Sequence, residues 1–172
     1  MMPQKKITFS TVILTVAAVG QIILTYLLFD PEADALCTNI GWGVLMLSAV
    51  FGWWPILTFR RKGRVRGRGY IHTTVVVDKG LYAVVRHPQY LAGILMSAAM
   101  CLITRHWLVA ILGAAAVVLY YWDTFDEERV CVEKFGDAYK QYRRRVPRIN
   151  FVLGWARALV RAIKRNGRQI TE

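Results

Sequence analysis

What most limits the folding of this chain is the separation of its charges: long stretches without ionisable residues alternate with short, strongly basic ones. Ile7–Phe29 and Leu36–Phe59 contain no Asp, Glu, Lys or Arg. A bilayer core takes roughly 20 apolar helical residues, and a helix satisfies its own backbone there. Both runs are long enough. Asp30-Pro31-Glu32-Ala33-Asp34 separates them with a proline and three acids. Ile7–Phe29 also exceeds the roughly 7–15 apolar residues of a cleavable signal core, so it reads as a retained anchor.

Two further uncharged runs follow. His87–Thr104 has no acid, Lys or Arg, Trp107–Trp122 has none either, and only Arg105-His106 lies between them. Each is slightly short for a full span, which predicts a tight, tilted helical hairpin. Small residues at four-residue spacing (Gly93 and Ser97; Ala110 and Ala114) suit close approach of its two arms. The fold expected is all-α: an integral membrane bundle of about four transmembrane helices, with interfacial helices on the cytosolic side. Residues 1–70 hold the first two spans and a basic loop. Residues 71–172 form the half that carries chemistry.

Orientation follows from the cations. With four spans, all of the 23 Lys and Arg residues except Arg105 fall on one face, and the opposite face carries Asp30, Glu32 and Asp34. That bias predicts both termini and the basic loops in the cytosol, at a plasma membrane in a prokaryote or the endoplasmic reticulum in a eukaryote. A net charge of +12 is therefore read as contact with anionic lipid, chiefly through Arg60–Arg68, and not with nucleic acid. Phe151–Lys164 interleaves Phe151, Leu153, Trp155, Leu159 and Ile163 with Arg157, Arg161 and Lys164, a pattern suited to a helix on the membrane surface. Cys37, Cys101 and Cys131 have no metal-ligand or disulfide spacing and read as small buried apolar residues.

The hairpin also places a candidate site. His87 precedes it and Glu127 follows, 40 positions apart, with Trp107 at the midpoint. Two helical arms of about 20 residues, roughly 30 Å each, bring Arg86-His87-Pro88 and Asp126-Glu127-Glu128 to the same depth. Ionisable groups at that depth mark function, or form an ion-pair network that closes the hairpin. No G-x-G-x-x-G follows a strand, so any nucleotide site must be built from helix ends.

Gly80-Leu81-Tyr82-Ala83-Val84-Val85-Arg86-His87-Pro88-Gln89-Tyr90 resembles the G-x-Y-x-x-x-R-H-P-x-Y signature of the isoprenylcysteine carboxyl methyltransferase and phospholipid N-methyltransferase superfamily. Glu127-Glu128, the Phe135–Tyr142 stretch and Val146-Pro147-Arg148 resemble its E-E, F-G-x-x-Y-x-x-Y and V-P elements. The resemblance runs from Val77 to Gly154. It departs at Ala92, where many members have glycine. It implies S-adenosylmethionine as cofactor, with Tyr82, His87, Pro88, Tyr90, Glu127, Glu128, Tyr139 and Tyr142 around it. The cofactor's carboxylate calls for Arg86 or His87, its ammonium for Glu127 or Glu128, and its adenine for the tyrosines. The methyl acceptor would be a lipid or lipidated group entering from the bilayer. A carboxylate acceptor needs a cation such as Arg86 or Arg129, whereas a protonated amine needs a base such as Glu127 or Glu128. Two other readings compete: an NADPH-dependent membrane sterol or lipid reductase, and a lipid-binding protein without activity.

Overall fold

The computed structural model describes residues 9–32, 34–62 and 75–170. Among them all the regular secondary structure is helical and there is no strand. The helices are α1 (Phe9–Leu27), α2 (Ala35–Lys62), α3 (Pro88–Thr104), α4 (Trp107–Phe135), α5 (Asp137–Arg145) and α6 (Phe151–Ile170), with a 3-10 turn at Gly80–Ala83. The all-α reading holds. His72 and most of the basic loop after Arg60 lie outside the described residues.

Local sequence explains where these helices start and stop. Asp34 caps α2: its Oδ1 accepts the Leu36 N–H at 2.9 Å, filling an acceptor role that helix starts require. Pro88 opens α3, where its missing N–H costs nothing. Arg105, with φ of 51°, turns the chain between α3 and α4, and His106 Nδ1 accepts the Leu108 N–H at 3.2 Å. Asn150 Oδ1 caps α6 through Leu153 N–H at 2.9 Å.

Ala35–Thr58 and Trp107–Phe135 are long and apolar enough to cross a membrane, while Val12–Leu27 and Pro88–Thr104 are apolar but shorter. The fourth run is thus longer than its uncharged part implied. The acids after Trp122 do not end α4, because neither Pro nor Gly occurs between Asp123 and Phe135; Gly136, which ends it, has φ of 57°, a left-handed conformation that favours glycine.

The chain divides into two compact units, Met1–Val50 with Tyr90–Phe125 and Phe51–Gln89 with Asp126–Glu172. Helices α2, α3 and α4 each contribute to both units. The first unit is apolar outside and buries several polar side chains among its small and apolar residues. Tyr26, Met46 and Trp122 are exposed, whereas Gln21, Ser97 and Thr124 are fully buried. Such an exterior is unsuited to water and natural against lipid, where small and polar residues hold helices together. The Gln21 amide donates to the carbonyls of Ser97 at 3.0 Å and Val109 at 3.3 Å, tying α1 to both arms of the hairpin. Ser48 Oγ donates to Ala92 O at 2.8 Å. Arg105 Nη1 lies 3.9 Å from Asp34 Oδ2, so the two loops expected on the acidic face meet.

Close approach uses different residues from those expected. Ala110 and Ala114 are exposed. On α4 the packed position is Gly113, where a Cβ would stand 2.6 Å from Gln21 Nε2 and 2.9 Å from Cys101 Sγ. Gly93 makes room for the Tyr120 ring and not for a helix backbone. The three cysteines are half-buried and unpaired, and Cys101 is not simply apolar, since its Sγ lies 3.7 Å from the Gln21 amide donor.

The second unit has its own core. Tyr139, Tyr142 and Val146 are buried together, packed by Val76, Cys131, Val132 and Phe135. Val85 and Pro88 of this unit are also fully buried. This unit carries the candidate site.

Candidate active site

The site is assembled from four segments of the second unit. The 3-10 turn Gly80–Ala83 begins at a glycine with φ of 62°, and the Tyr82 carbonyl at its third residue accepts the Tyr142 hydroxyl at 2.7 Å. The chain then passes into an extended pairing: Arg86 N–H donates to Pro147 O at 3.0 Å and His87 N–H to Arg148 O at 3.1 Å. Backbone bonds thus hold residues 86–87 against 147–148. Gly154, at the start of α6, seals the arrangement, because a Cβ there would run into the Val84 carbonyl.

Glu128 stands at the centre and is 3% exposed. Arg148 grips it with two bonds, Nε to Oε1 and Nη2 to Oε2, both 3.0 Å. This is the paired geometry in which arginine and carboxylate bind best. His87 Nε2 lies 3.3 Å from Oε1, and Arg143 Nη1 lies 3.8 Å from Oε2. Arg86 Nη1 is 2.7 Å from Oε1, yet that contact is not aligned as a hydrogen bond, so the attraction is one of charge. Arg86 Nε is a buried donor without an acceptor, while Nη1 is engaged through its charge contact with Glu128. Burial disfavours the Arg86 charge, and the Glu128 charge restores part of the loss. Three guanidinium groups face one carboxylate here, and the surplus is positive.

A buried donor left unpaired costs about 1–3 kcal/mol, and native structures rarely leave one. The Arg86 side chain is 8% exposed, so bulk water does not readily supply the acceptor. An anionic oxygen would.

The tyrosines occupy the wall. Tyr82, Tyr139 and Tyr142 are all buried, with the Tyr139 and Tyr142 rings 5.7 Å apart. Burial pushes both the Tyr139 and Tyr142 phenols above the ordinary tyrosine range, so they stay neutral donors.

Of the residues picked out in the sequence, Arg86, His87 and Glu128 come together around one carboxylate, and Pro88 follows them into α3. Glu127 is half-buried on α4, one residue before Glu128 and hence turned about 100° from it. Arg129 is not brought to the cluster: its side chain is 79% exposed and pairs with Asp126 at 3.4 Å. Tyr90 belongs to the first unit, where it packs edge-to-face on Tyr120 at 6.4 Å. Arg148 and Arg143 were missed. The Val146-Pro147-Arg148 triplet was visible in the sequence, but nothing in it marks the arginine as the partner of a glutamate 20 positions earlier.

A family model, phospholipid methyltransferase, matches residues 36–138. That range contains Arg86, His87, Glu127 and Glu128, and it ends before Arg143 and Arg148. No curated protein and no solved structure gives a match. The match covers more than half of the chain and includes both halves of the motif around the buried carboxylate, together with the two long apolar helices. By that match the protein belongs to the phospholipid methyltransferase family of membrane enzymes.

Proposed function

We propose that this protein transfers a methyl group from S-adenosylmethionine to a lipid or lipidated acceptor at the cytosolic face of its membrane. The observation that carries this reading is Arg86, a buried guanidinium whose Nε has no acceptor, held in place by Glu128 and by the bond from its own N–H to Pro147. The residues present fit the cofactor. Its α-carboxylate supplies the acceptor that Arg86 lacks. His87 and the buried tyrosines belong to the same unit, and the Glu127 carboxylate suits its ammonium. When bound, S-adenosylmethionine supplies a methyl group on a sulfonium centre.

The chain's own task is alignment and the exclusion of water. Glu128 serves as an anchor and not as a base, because both oxygens are engaged by Arg148. The acceptor decides what else is needed. A phospholipid amine must lose a proton, which leaves Glu127 as the base, and its phosphate suits Arg143, whose side chain is half exposed. A carboxylate on a lipidated cysteine needs no base and would use Arg143 in the same way. Arg129 is a poorer candidate than the sequence indicated. The acceptor reaches the site from the bilayer, with both termini in the cytosol.

The test is calorimetric titration of detergent-purified protein with S-adenosylhomocysteine, and with NADPH in parallel. Stoichiometric binding of the first, lost in Arg86→Met, supports the reading. Binding of NADPH alone would replace it with a reductase, and binding of neither would leave a lipid-binding protein. Transfer of a labelled methyl group to phosphatidylethanolamine or to a prenylcysteine carboxylate then identifies the acceptor.

A further inference from the structure

Helix α6 wears its amphipathicity inside out. A helix on a water-exposed surface turns its apolar stripe to the core and its charges outward. In α6, Val152, Trp155, Leu159 and Ile163 recur at one-stripe spacing and are 78%, 56%, 54% and 64% exposed. The side facing its own unit is occupied instead by Gly154, pressed on the Val84 carbonyl, and by Arg161. The Arg161 guanidinium donates to Arg145 O and Ala83 O, both at 2.7 Å. Phe151 packs edge-to-face on Phe51 at 5.1 Å. The inward contacts are thus specific and complete, and the outward stripe has no partner within the unit.

We propose that this outward stripe docks on an anionic lipid leaflet, and that docking braces the Arg86–His87 segment. Several features favour lipid as the occupant. Trp155 in an apolar stripe is a typical interfacial anchor. Arg157 and Lys164 are exposed on the flank of the stripe, at the height where lipid phosphates lie beside an embedded helix. Ala156, Arg157, Val160 and Arg161 line a shallow, open concavity beside the stripe. The same chain enters a bilayer through its long apolar helices, so a leaflet is always at hand. A second copy is a worse partner, because it would bring a like-charged flank to a chain of net charge +12. The bracing follows from connectivity. Residues 83, 84 and 145, which α6 grips, flank the 86–87 and 147–148 pairing that holds the Glu128 cluster. Lipid binding to α6 thereby steadies the proposed methyl-transfer site, and this second half of the inference rests on that reading.

The experiment uses the full chain in nanodiscs of phosphatidylcholine alone or with phosphatidylglycerol. The fluorescence difference between the wild type and Trp155→Phe isolates the α6 tryptophan, and lipids brominated near the glycerol end report its depth. Quenching is expected in both compositions and greater with phosphatidylglycerol. Arg157→Gln combined with Lys164→Gln should lower the docked-to-free ratio by about fivefold per cation, while leaving S-adenosylhomocysteine affinity in saturating phosphatidylglycerol unchanged. Hydrogen exchange at the Arg86 and His87 amides should slow with phosphatidylglycerol in the wild type but much less in the double variant.

A Trp155 signal quenched by aqueous iodide and not by brominated lipid overturns the proposal. So does quenching that is equal in the two compositions. Shielding from both quenchers, with two copies per disc by mass photometry, would show a second copy on the stripe and overturn it as well. A wild type that shows the anionic increment but binds no S-adenosylhomocysteine sinks the methyl-transfer reading while supporting the docking of α6.

Discussion

At the scale of single residues, Glu128 matters more than any other side chain. Removing its charge leaves Arg86 and Arg148 facing each other without the carboxylate between them, and an uncompensated buried charge costs about 3–5 kcal/mol. Glu128→Gln is therefore expected to lower the melting temperature sharply in detergent and to abolish S-adenosylhomocysteine binding. Glu127→Gln should shift stability by only about 0.5 kcal/mol while weakening cofactor binding. Equal melting losses in the two variants would show that Glu128 is not the structural centre. Tyr142 offers a second test. Its hydroxyl is buried and donates to Tyr82 O, so Tyr142→Phe should cost about 1–3 kcal/mol. The raised phenol also makes stability depend on pH. The folded state keeps this tyrosine neutral, so its contribution is intact below the ordinary tyrosine pKa of about 10 and is lost as pH rises beyond it. Thermal melts from neutral pH to about pH 11 should fall less steeply for Tyr142→Phe than for the wild type.

At the scale of elements, the glycines separate packing from mere helix propensity. Gly154→Ala sets a methyl against a backbone carbonyl that α6 cannot avoid without moving away from residues 83–87. Overpacking typically costs about 1–3 kcal/mol, and here the displacement should also weaken S-adenosylhomocysteine binding. On α2, Gly41 and Gly43 form an internal control. A Cβ at Gly41 would stand 2.7 Å from Ile103 and 3.1 Å from the Ala99 carbonyl, whereas one at Gly43 meets nothing. Gly41→Ala should therefore destabilise the hairpin packing. Gly43→Ala should be neutral, or stabilising by up to about 1 kcal/mol through helix propensity. The comparison is read from melts of the two variants, and equal effects would show that α2 does not pack at Gly41.

At the scale of the whole molecule, the distribution of charge predicts orientation. With four spans, Arg105 alone of the 23 Lys and Arg residues would fall on the face opposite the rest, and its ion pair with Asp34 joins the two loops expected on that face. A fluorescent protein fused to the C-terminus should fold and emit in a bacterial host, and alkaline phosphatase fused there should be inactive. The reverse result would place the Glu128 cluster on the outer side. Orientation also bears on the proposed chemistry, since a site for S-adenosylmethionine would have to face the compartment that holds it.

The sequence by itself determined the helical class, the apolar spans, and the meeting of Arg86-His87 with the acids that end the hairpin. All three depend on properties that run along the chain: hydropathy over a span, a rise of 1.5 Å per residue, and a motif of fixed spacing. Properties that run around or between helices needed the tertiary structure. Glu127 and Glu128 are indistinguishable in a linear reading, yet a rotation of about 100° per residue buries one among arginines and leaves the other at the side. The same rotation sends Arg129 outward to Asp126 and makes Gly113, not Ala110 or Ala114, the close-packed position on α4. Arg148 joined the site because backbone bonds pair residues 86–87 with 147–148, a contact across some 60 positions that no local pattern encodes. The apolar stripe of α6 was legible as a surface helix, but only the fold showed which face is outward, because Gly154 and Arg161 had already claimed the other.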